Sequence, residues 1–352
     1  MSMPNQKEPS LNVMWKDAPT RSIDVGGTKF VYRRLGPDTG VPVIFFNHLA
    51  AELDRWDPRV VDGIATGRHV IVFNNRGVGT SGGSTPNSVA AMARDAVAFI
   101  RALGSEQVDL LGFSLGGFIS QVIAQEEPQL VRRIILAGTG PAGGTGIDKA
   151  TSVTMCDMIR AALTFKHPEY YLFFTKSPNG RRAAREFLKR LNERTNDRDK
   201  PVSIATFIAQ LKAIHAWGRQ APADLSRIRH PVLVANGDHD KMVPSSNSVD
   251  LARRLPNAEL VIYDDAGHGG IMKAFVVDRY GSGAGIREMP VPEVGDDDVL
   301  VEIHAASVNL LDSKIRDGEF KLIFSRSLRV TKTLPRPQYA LMLFGLVSRI
   351  VP

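Results

Sequence analysis

The chain has 352 residues, with 44 Lys and Arg against 37 Asp and Glu, which gives a formal net charge of +7. At about 100 to 200 residues per domain, this length allows two domains or one large enzyme domain with insertions. Hydrophobic residues make up 43% and charged residues 23% of the chain, proportions that exclude a disordered or collagen-like protein.

The N-terminal segment, residues 1–21, lacks the charged and then apolar pattern of a signal peptide. Cys156 is the single cysteine, so no disulfide forms within the chain. No stretch approaches the run of about 20 apolar residues that spans a bilayer. These features predict a cytoplasmic protein with a leader segment at residues 1–21 and no membrane partner.

Residues 22–140 alternate short apolar runs with helical patterns, which is typical of parallel strands joined by crossover helices. The apolar runs lack polar alternation, so each predicts a strand that is buried on both faces. The predicted strands are Val43–Phe46, Val70–Phe73, Val108–Leu111 and Arg133–Leu136, and the predicted helices are Arg55–Ala65, Val89–Leu103 and Leu115–Glu126.

Residues 141–225 are helical in pattern and contain no convincing strand, which predicts a helical cap inserted into the sheet. The excess positive charge lies here, since residues 141–229 hold 16 basic and 8 acidic side chains. Apolar spacing within Arg181–Arg194 favours the solvated face of an amphipathic helix over a nucleic-acid surface. The α/β pattern resumes over residues 226–271, with strands at Val232–Ala235 and Glu259–Tyr263 and a helix near Ser246–Leu255.

A G-x-S-x-G sequence at residues 112–116 lies between a predicted strand and a predicted helix. An abrupt strand-to-helix turn strains the central residue and exposes its side chain, so Ser114 is predicted to be a nucleophile. The N–H of Leu115, at the helix N-terminus, is a candidate donor to an oxyanion.

A serine hydroxyl needs a base, and His268 is the preferred one of the eight histidines. It lies in a glycine-rich loop just after the last predicted strand. The base in turn needs a carboxylate, and Asp240 follows another buried strand. Asp238 is expected instead to shape that loop through its side chain.

The order Ser114, Asp240, His268 and these motifs resemble the α/β-hydrolase fold superfamily over about residues 22–271. The resemblance implies a mostly parallel, doubly wound sheet with a helical cap after the sixth strand. It also implies that the loop at residues 47–51 supplies a second oxyanion donor, with Leu49 as the best match and Ala50 as the alternative. This loop departs from the His-Gly pair that is common in the family.

Glycines in the segment 75–82 match G-x-G-x-x-G, but the segment resembles the R-G-x-G-x-S loop of α/β-hydrolases more than a dinucleotide site. No group of His, Cys and carboxylate residues has metal-site spacing. Neither a cofactor nor a metal is therefore expected.

From Met272 to about residue 320 the chain resembles the GroES-like N-terminus of zinc-type alcohol dehydrogenases and quinone oxidoreductases. No glycine fingerprint or cysteine follows Met272, so oxidoreductase activity is not expected. Residues 272–352 are predicted to be an incomplete β-rich fragment with an irregular tail, produced by a gene fusion.

Together these features predict a serine hydrolase that cleaves a small-molecule carboxylic ester or lactone through Ser114, His268 and Asp240, in an unspecified oligomeric state. A cofactor-free perhydrolase of the haloperoxidase type and a C–C bond hydrolase remain open, because both use the same triad. A ligand-binding domain without catalysis and an inactivated fusion product are the alternatives from another class.

Overall fold

A single eight-stranded sheet organises the protein. The structure is a computed structural model that describes residues 13–269. The strands are β1 (Arg21–Val25), β2 (Thr28–Leu35), β3 (Val43–Phe46), β4 (Val70–Phe73), β5 (Val108–Phe113), β6 (Val131–Ala137), β7 (Val232–Gly237) and β8 (Ala258–Tyr263). They lie in the order β1-β2-β4-β3-β5-β6-β7-β8, with β1 and β2 antiparallel and the pairs from β4 to β8 parallel. The predicted mostly parallel α/β sheet is confirmed.

Helices cover both faces of the sheet and form the cap. They are α1 (Pro58–Ala65), α2 (Val89–Ala102), α3 (Leu115–Glu126), α4 (Ala150–Leu163), α5 (Pro168–Leu172), α6 (Pro178–Arg190), α7 (Ile204–Arg219) and α8 (Ser246–Arg254). The cap helices α4 to α7 follow β6, where the sequence predicts a helical insertion. No helix among residues 13–269 has the length and apolar character needed to cross a membrane.

The central strands β3, β4 and β5 are buried at every position. Apolar side chains on both faces exclude water from the ladder, so a continuous apolar run is stable only in the middle of such a sheet. For this reason the predicted bounds of β3 and β4 agree with the structure. A helix that is apolar on most of its surface is likewise stable only where it is buried. Helix α3, which follows β5 after the turn at Ser114, is buried along most of its length.

The N-terminal hairpin β1–β2 is absent from the sequence prediction. Its residues alternate between half-buried and exposed positions in β1, so no apolar run marks the strand. Val25 pairs with Thr28 across a two-residue loop, and the loop residues Gly26 and Gly27 have φ values of 58° and 80°. Glycine adopts this left-handed conformation without strain, and the tight turn fits the twist of the two strands.

Helix α1 begins three residues later than predicted. The Asp57 side chain accepts a hydrogen bond from the N–H of Arg59, and Pro58 occupies the first helical position. Proline is favoured there because its missing N–H would be unpaired anyway. The preceding residues Leu53–Arg55 form a separate 3-10 turn, which places Arg55 beside the cap.

The predicted C-terminal fragment, residues 272–352, lies outside the described residues, as does most of the predicted leader. The predicted domain boundaries at residues 21, 140, 225 and 271 therefore stay predictions.

Candidate active site

Ser114 occupies a sharp turn between β5 and α3. Its φ of 54° and ψ of −117° lie in a region that non-glycine residues rarely adopt, and its backbone N–H donates to the carbonyl of Ala137 at 2.9 Å. A Cβ atom at Gly112 would collide with the backbone of helix α3, and one at Gly116 would collide with the backbone of Phe46. The glycines therefore allow the close approach that holds Ser114 in this turn.

His268 and Asp240 are joined by a short hydrogen bond. Nδ1 of His268 donates to Oδ2 of Asp240 at 2.7 Å, and both side chains are buried. The other carboxylate oxygen of Asp240 accepts the N–H groups of Met242 and Val243 at 2.8 and 3.0 Å. Both oxygens of Asp240 are thus engaged, and the proton on Nδ1 leaves Nε2 of His268 with a free lone pair.

Asp238 lies on the same loop as Asp240 but makes different contacts. Its carboxylate accepts the backbone N–H groups of Asp265 and Ala266 and lies 2.6 Å from Nδ1 of His239. These hydrogen bonds, together with the ion pair to His239, lower the pKa of Asp238 despite partial burial. Asp238 therefore links the Asp240 loop to the loop that carries His268.

The loop after β3 contains both candidates for the second oxyanion donor. The N–H of Ala50 donates to Oε1 of Gln210 on α7 at 2.8 Å. In the described part of the chain, the N–H of Leu49 and the N–H of Leu115 donate to no backbone carbonyl. The N–H groups of Leu49 and Leu115 are thus free to donate to a ligand, whereas that of Ala50 is already paired.

The side chains of Asn47 and Trp56 stabilise the loop after β3 through buried hydrogen bonds. The indole N–H of Trp56 donates to Oδ1 of Asn47 at 2.5 Å, and the amide of Asn47 donates to the carbonyl of Ala51. Both side chains are buried, so these hydrogen bonds do not compete with water. The position of the Leu49 N–H is therefore defined by interactions within the core.

Comparison with known proteins agrees with this architecture. Residues 41–275 match the family described as alpha/beta hydrolase fold. The chain belongs to the α/β-hydrolase family. An α/β-hydrolase fold protein from Chitinophaga pinensis is 41% identical, covers 75% of this chain and 96% of its own, and superimposes with a TM-score of 0.70.

Two further relatives of this α/β-hydrolase carry functional names. A non-heme chloroperoxidase from Streptomyces lividans is 27% identical over 256 residues, which are 69% of this chain and 90% of that protein. The solved structure of Est816, described as an N-acyl homoserine lactone degrading enzyme, is 25% identical with a TM-score of 0.56, over 72% of this chain and 95% of its own. The family match and these named enzymes identify the chain as an α/β-hydrolase enzyme.

Four aromatic rings, here called the ring cluster, enclose the site of this α/β-hydrolase: His48, Phe113, Phe173 and His268. Phe113 precedes Ser114, whereas Phe173 comes from the cap. The Phe113 ring lies 5.0 Å from the His48 ring and 5.1 Å from the His268 ring, and Phe173 lies 5.0 and 5.7 Å from the same two rings. Ser114 is 4% and His268 1% exposed, so both side chains are shielded from bulk water.

His48 is a neutral side chain in this cluster. Burial lowers the pKa of His48 to about 3, against an ordinary value of 6.5. Its Nδ1 lies 2.9 Å from the carbonyl oxygen of Leu49, and a carbonyl only accepts, so the proton is on Nδ1. Nε2 is buried and has no hydrogen-bond partner among residues 13–269.

A second group of ionisable side chains joins the segment that follows the β3 loop to the cap. Nη1 of Arg55 lies 3.7 Å from Oε2 of Glu169, its Nε lies 3.7 Å from Oε1 of Glu52, and its Nη2 lies 3.0 Å from Nε2 of His167. Burial raises the pKa of both Glu52 and Glu169 to about 7, although Arg55 opposes this shift. Burial and Arg55 lower the pKa of His167 to about 4.

The glycine-rich segment 75–82 follows β4 and is already occupied by a side chain. The carboxylate of Asp199 accepts the N–H and hydroxyl of Thr80 at 2.9 and 2.8 Å and also the amide of Asn74. Asp199 thus takes the position that a phosphate would need, which agrees with the α/β-hydrolase interpretation of this segment. Over residues 13–269, no group of three or more His, Cys, Asp and Glu side chains could hold a metal ion.

The aromatic residues of the cap mostly pack rather than line open space. Phe173 and Phe174 are buried, and Trp217 stacks on Phe118 with ring centroids 5.3 Å apart. Phe165 is the exception, with 97% of its surface exposed. His48 is not among the site residues predicted from the sequence, although its position in a loop that departs from the common His-Gly pair was a usable signal.

Proposed function

We propose that this α/β-hydrolase cleaves a carboxylic ester or lactone through an acyl-enzyme intermediate. Ser114 is the nucleophile, His268 is the general base and acid, and Asp240 orients the imidazole and stabilises its charged form. The N–H groups of Leu49 and Leu115 bind the oxyanion. The strained turn at Ser114, the hydrogen bond from His268 to Asp240 and the unpaired N–H groups of Leu49 and Leu115 support these roles, and the proposed steps use no cofactor.

The proposed reaction has two halves. His268 Nε2 takes the proton of Ser114 Oγ as the oxygen attacks the carbonyl carbon, and the same proton then passes to the departing alcohol oxygen as the ester bond breaks. A water molecule next gives its proton to Nε2 and attacks the acyl carbon. The acid leaves and Ser114 regains its proton, so the enzyme returns to its starting state.

One observation carries this proposal. The 2.7 Å hydrogen bond from His268 to Asp240 fixes the proton on Nδ1 and presents a free lone pair at Nε2. Nε2 has no hydrogen-bond partner among residues 13–269, and Ser114 occupies a strained turn at the carboxyl end of β5, on the sheet edge from which the His268 loop also extends. A buried base with a free lone pair can take the proton of a nearby hydroxyl group, and Ser114 is the proposed donor. The likeness to a lactone-degrading enzyme supports a lactone as well as an open-chain ester.

Labelling with a fluorophosphonate probe tests the nucleophile without knowledge of the substrate. The purified chain is expected to be modified at Ser114, and Ser114→Ala is expected to lose the label. Ser120→Ala is a matched control, because Ser120 is buried on the same helix but donates to the carbonyl of Gly116 at 2.8 Å. A folded protein that takes no label, or takes it at another residue, would contradict the proposal.

Perhydrolysis is the second candidate, favoured by the likeness to a non-heme chloroperoxidase. In that reaction hydrogen peroxide replaces water as the nucleophile that attacks the acylated Ser114, and the product is a peracid. Acetate with peroxide, followed by a halide-oxidation assay, separates the two activities. Peracid formation that exceeds ester hydrolysis would favour this candidate, and its absence would favour the hydrolase.

The gene-fusion interpretation of residues 272–352 also stays a proposal. The family match ends at residue 275, close to Met272, where the second resemblance begins. Sequencing of the source locus tests it, and a continuous reading frame that is expressed as one protein would count against a fusion.

A further inference from the structure

His48 contributes a hydrogen-bond acceptor for which the proposed ester hydrolysis has no use. The proton on Nδ1 is committed to the carbonyl of Leu49, and Nε2 is buried without a partner among residues 13–269. Leaving a buried acceptor unpaired costs stability, so such atoms usually meet a ligand or an ordered water. Nε2 of His48 can therefore accept a hydrogen bond from a bound ligand or an ordered water.

The location of His48 points to the substrate. It precedes Leu49, the proposed oxyanion donor, and its ring packs on Phe113, the residue before Ser114. The same two phenyl rings, Phe113 and Phe173, also lie 5.1 and 5.7 Å from the His268 ring. The acceptor therefore belongs to the ring cluster that also holds His268, the proposed base.

The chemistry of His48 Nε2 limits the kinds of substrate group that it can bind. A neutral lone pair repels an oxyanion and gains nothing from a simple ester, which has no N–H or O–H. It gains from a hydroxyl or amide N–H carried on the acyl chain close to the carbonyl. A site built around such an acceptor disfavours the analogue that lacks the donor, because the acceptor then stays buried and unpaired.

We propose that Nε2 of His48 accepts a hydrogen bond from a hydroxyl or amide N–H on carbon 2 or 3 of the substrate's acyl chain, and so selects hydroxyacyl or acylamino esters and lactones. This inference rests on the proposed function of Ser114. His48 is a specificity residue in this account, and His268 remains the base.

Matched p-nitrophenyl esters test the selectivity: butyrate, 2-hydroxybutyrate and 3-hydroxybutyrate. The full-length protein is expected to favour one of the hydroxylated esters over butyrate by about five- to tenfold in kcat/KM, the range expected for one neutral hydrogen bond. His48→Phe keeps an aromatic ring for packing but removes the acceptor, so this ratio is expected to fall to about one. His48→Gln retains an acceptor and is expected to restore part of the ratio.

His69→Phe is the matched control. Its Nε2 is also buried and unpaired within residues 13–269, but His69 precedes β4 at the opposite, amino end of the sheet. The ratio in this variant is expected to equal that of the unchanged protein. Equal rates on all three esters in the unchanged protein would overturn the inference, and so would a ratio that His48→Phe leaves intact.

A binding measurement keeps the inference testable if His48→Phe does not fold or if no ester is turned over. With ¹⁵N-labelled histidine, the Nε2 resonance of His48 in the unchanged protein is expected to shift upfield on addition of 2- or 3-hydroxybutyrate and to stay in place with butyrate. Equal shifts with all three acids, or none, would overturn the inference and leave an ordered water as the partner of Nε2.

The two proposals fail in different ways. If Ser114 takes no fluorophosphonate, the hydrolase mechanism fails, whatever the histidine resonance does. If Ser114 is labelled but the resonance and the ester ratio do not respond to the hydroxyl group, the mechanism stands and the role of His48 is wrong.

Discussion

The two sides of the candidate active site differ in how completely their polar groups are paired. On the side of β7 and β8, both oxygens of Asp240 accept hydrogen bonds, and Asp238 ties the Asp240 loop to the loop of His268. On the side of the β3 loop and the cap, one polar atom each of His48, Glu52 and Glu169 is buried without a hydrogen bond among the described residues, and Oε2 of Glu169 has only a 3.7 Å ion pair with Arg55 there. Within residues 13–269, the carboxylate on the first side is fully hydrogen-bonded and Nε2 of His268 lacks a hydrogen bond, whereas the second side has three such atoms.

This difference matches two different tasks. A general base works only if its tautomer and direction are held, so the hydrogen bonds around Asp240 stabilise a single arrangement. The pKa values on the other side depart far from their ordinary values, to about 3 for His48 and about 7 for Glu169. Buried groups of this kind respond to a ligand or to pH, because a new donor or charge changes their free energy strongly.

Asp240→Asn should have the largest effect, because it breaks the well-paired side. An amide in place of the carboxylate favours the wrong tautomer of His268, and loss of such an orienting carboxylate lowers kcat by about 10⁴-fold. The measurement is kcat on p-nitrophenyl butyrate, with folding checked by circular dichroism. Asp238→Asn is the matched control on the same loop, with an expected loss of less than about tenfold.

Glu169→Gln, a change on the less-paired side of the site, should remove part of the pH dependence of the protein's unfolding free energy. The folded-state pKa of Glu169, about 7, exceeds its ordinary value of 4.5. The folded protein therefore holds the extra proton between about pH 4.5 and 7, and its contribution to stability is lost as pH rises through this window. Relative to the variant, the unchanged protein should lose about 1–3 kcal/mol of unfolding free energy between pH 5 and 8.

Urea unfolding of both proteins at several pH values measures this difference. His167 makes the opposite contribution in both proteins, because its lowered pKa makes folding more favourable as pH rises from about 4 to 6.5. Its Nδ1 lies 3.4 Å from Oε2 of Glu169, so the comparison is made above pH 6.5 as well as below it. Glu186→Gln, at an exposed position of α6, is the control and should leave the slope unchanged. A stability difference that is constant with pH would show that Glu169 is ionised throughout.

Gln210→Met should have the smallest effect, because it acts on the β3 loop indirectly. Loss of the acceptor for the Ala50 N–H frees the loop that carries Leu49, so kcat should fall about tenfold while KM changes little. Gln210→Glu retains an acceptor and should restore most of kcat. A change in KM alone would indicate that Gln210 contacts the substrate rather than positioning the oxyanion donor.

Several elements were predictable because a local pattern has a single physical solution. The apolar runs at Val43–Phe46 and Val70–Phe73 become central strands, since only a sheet covered on both faces buries them completely. The turn at Ser114 was predictable because glycines on both sides permit a strained residue between a strand and a helix. Helix α3 likewise has the predicted bounds.

The hairpin β1–β2 and the start of α1 show where local pattern is insufficient. Alternating polar residues in β1 give no apolar run, and its pairing with β2 depends on the turn at Gly26 and Gly27. At α1, the cap formed by Asp57 and Pro58 overrides the helical pattern that precedes it.

The sequence by itself determined the fold class, the family and the choice of Ser114, Asp240 and His268 as candidates, because burial patterns and loop positions are local properties. Only the tertiary structure decided the state of His48 and Glu169. Their charge depends on burial by segments distant in the chain, such as Phe113 and Phe173 around His48. The desolvation that shifts a pKa is a property of the packed molecule, and no neighbouring residues in the sequence specify it.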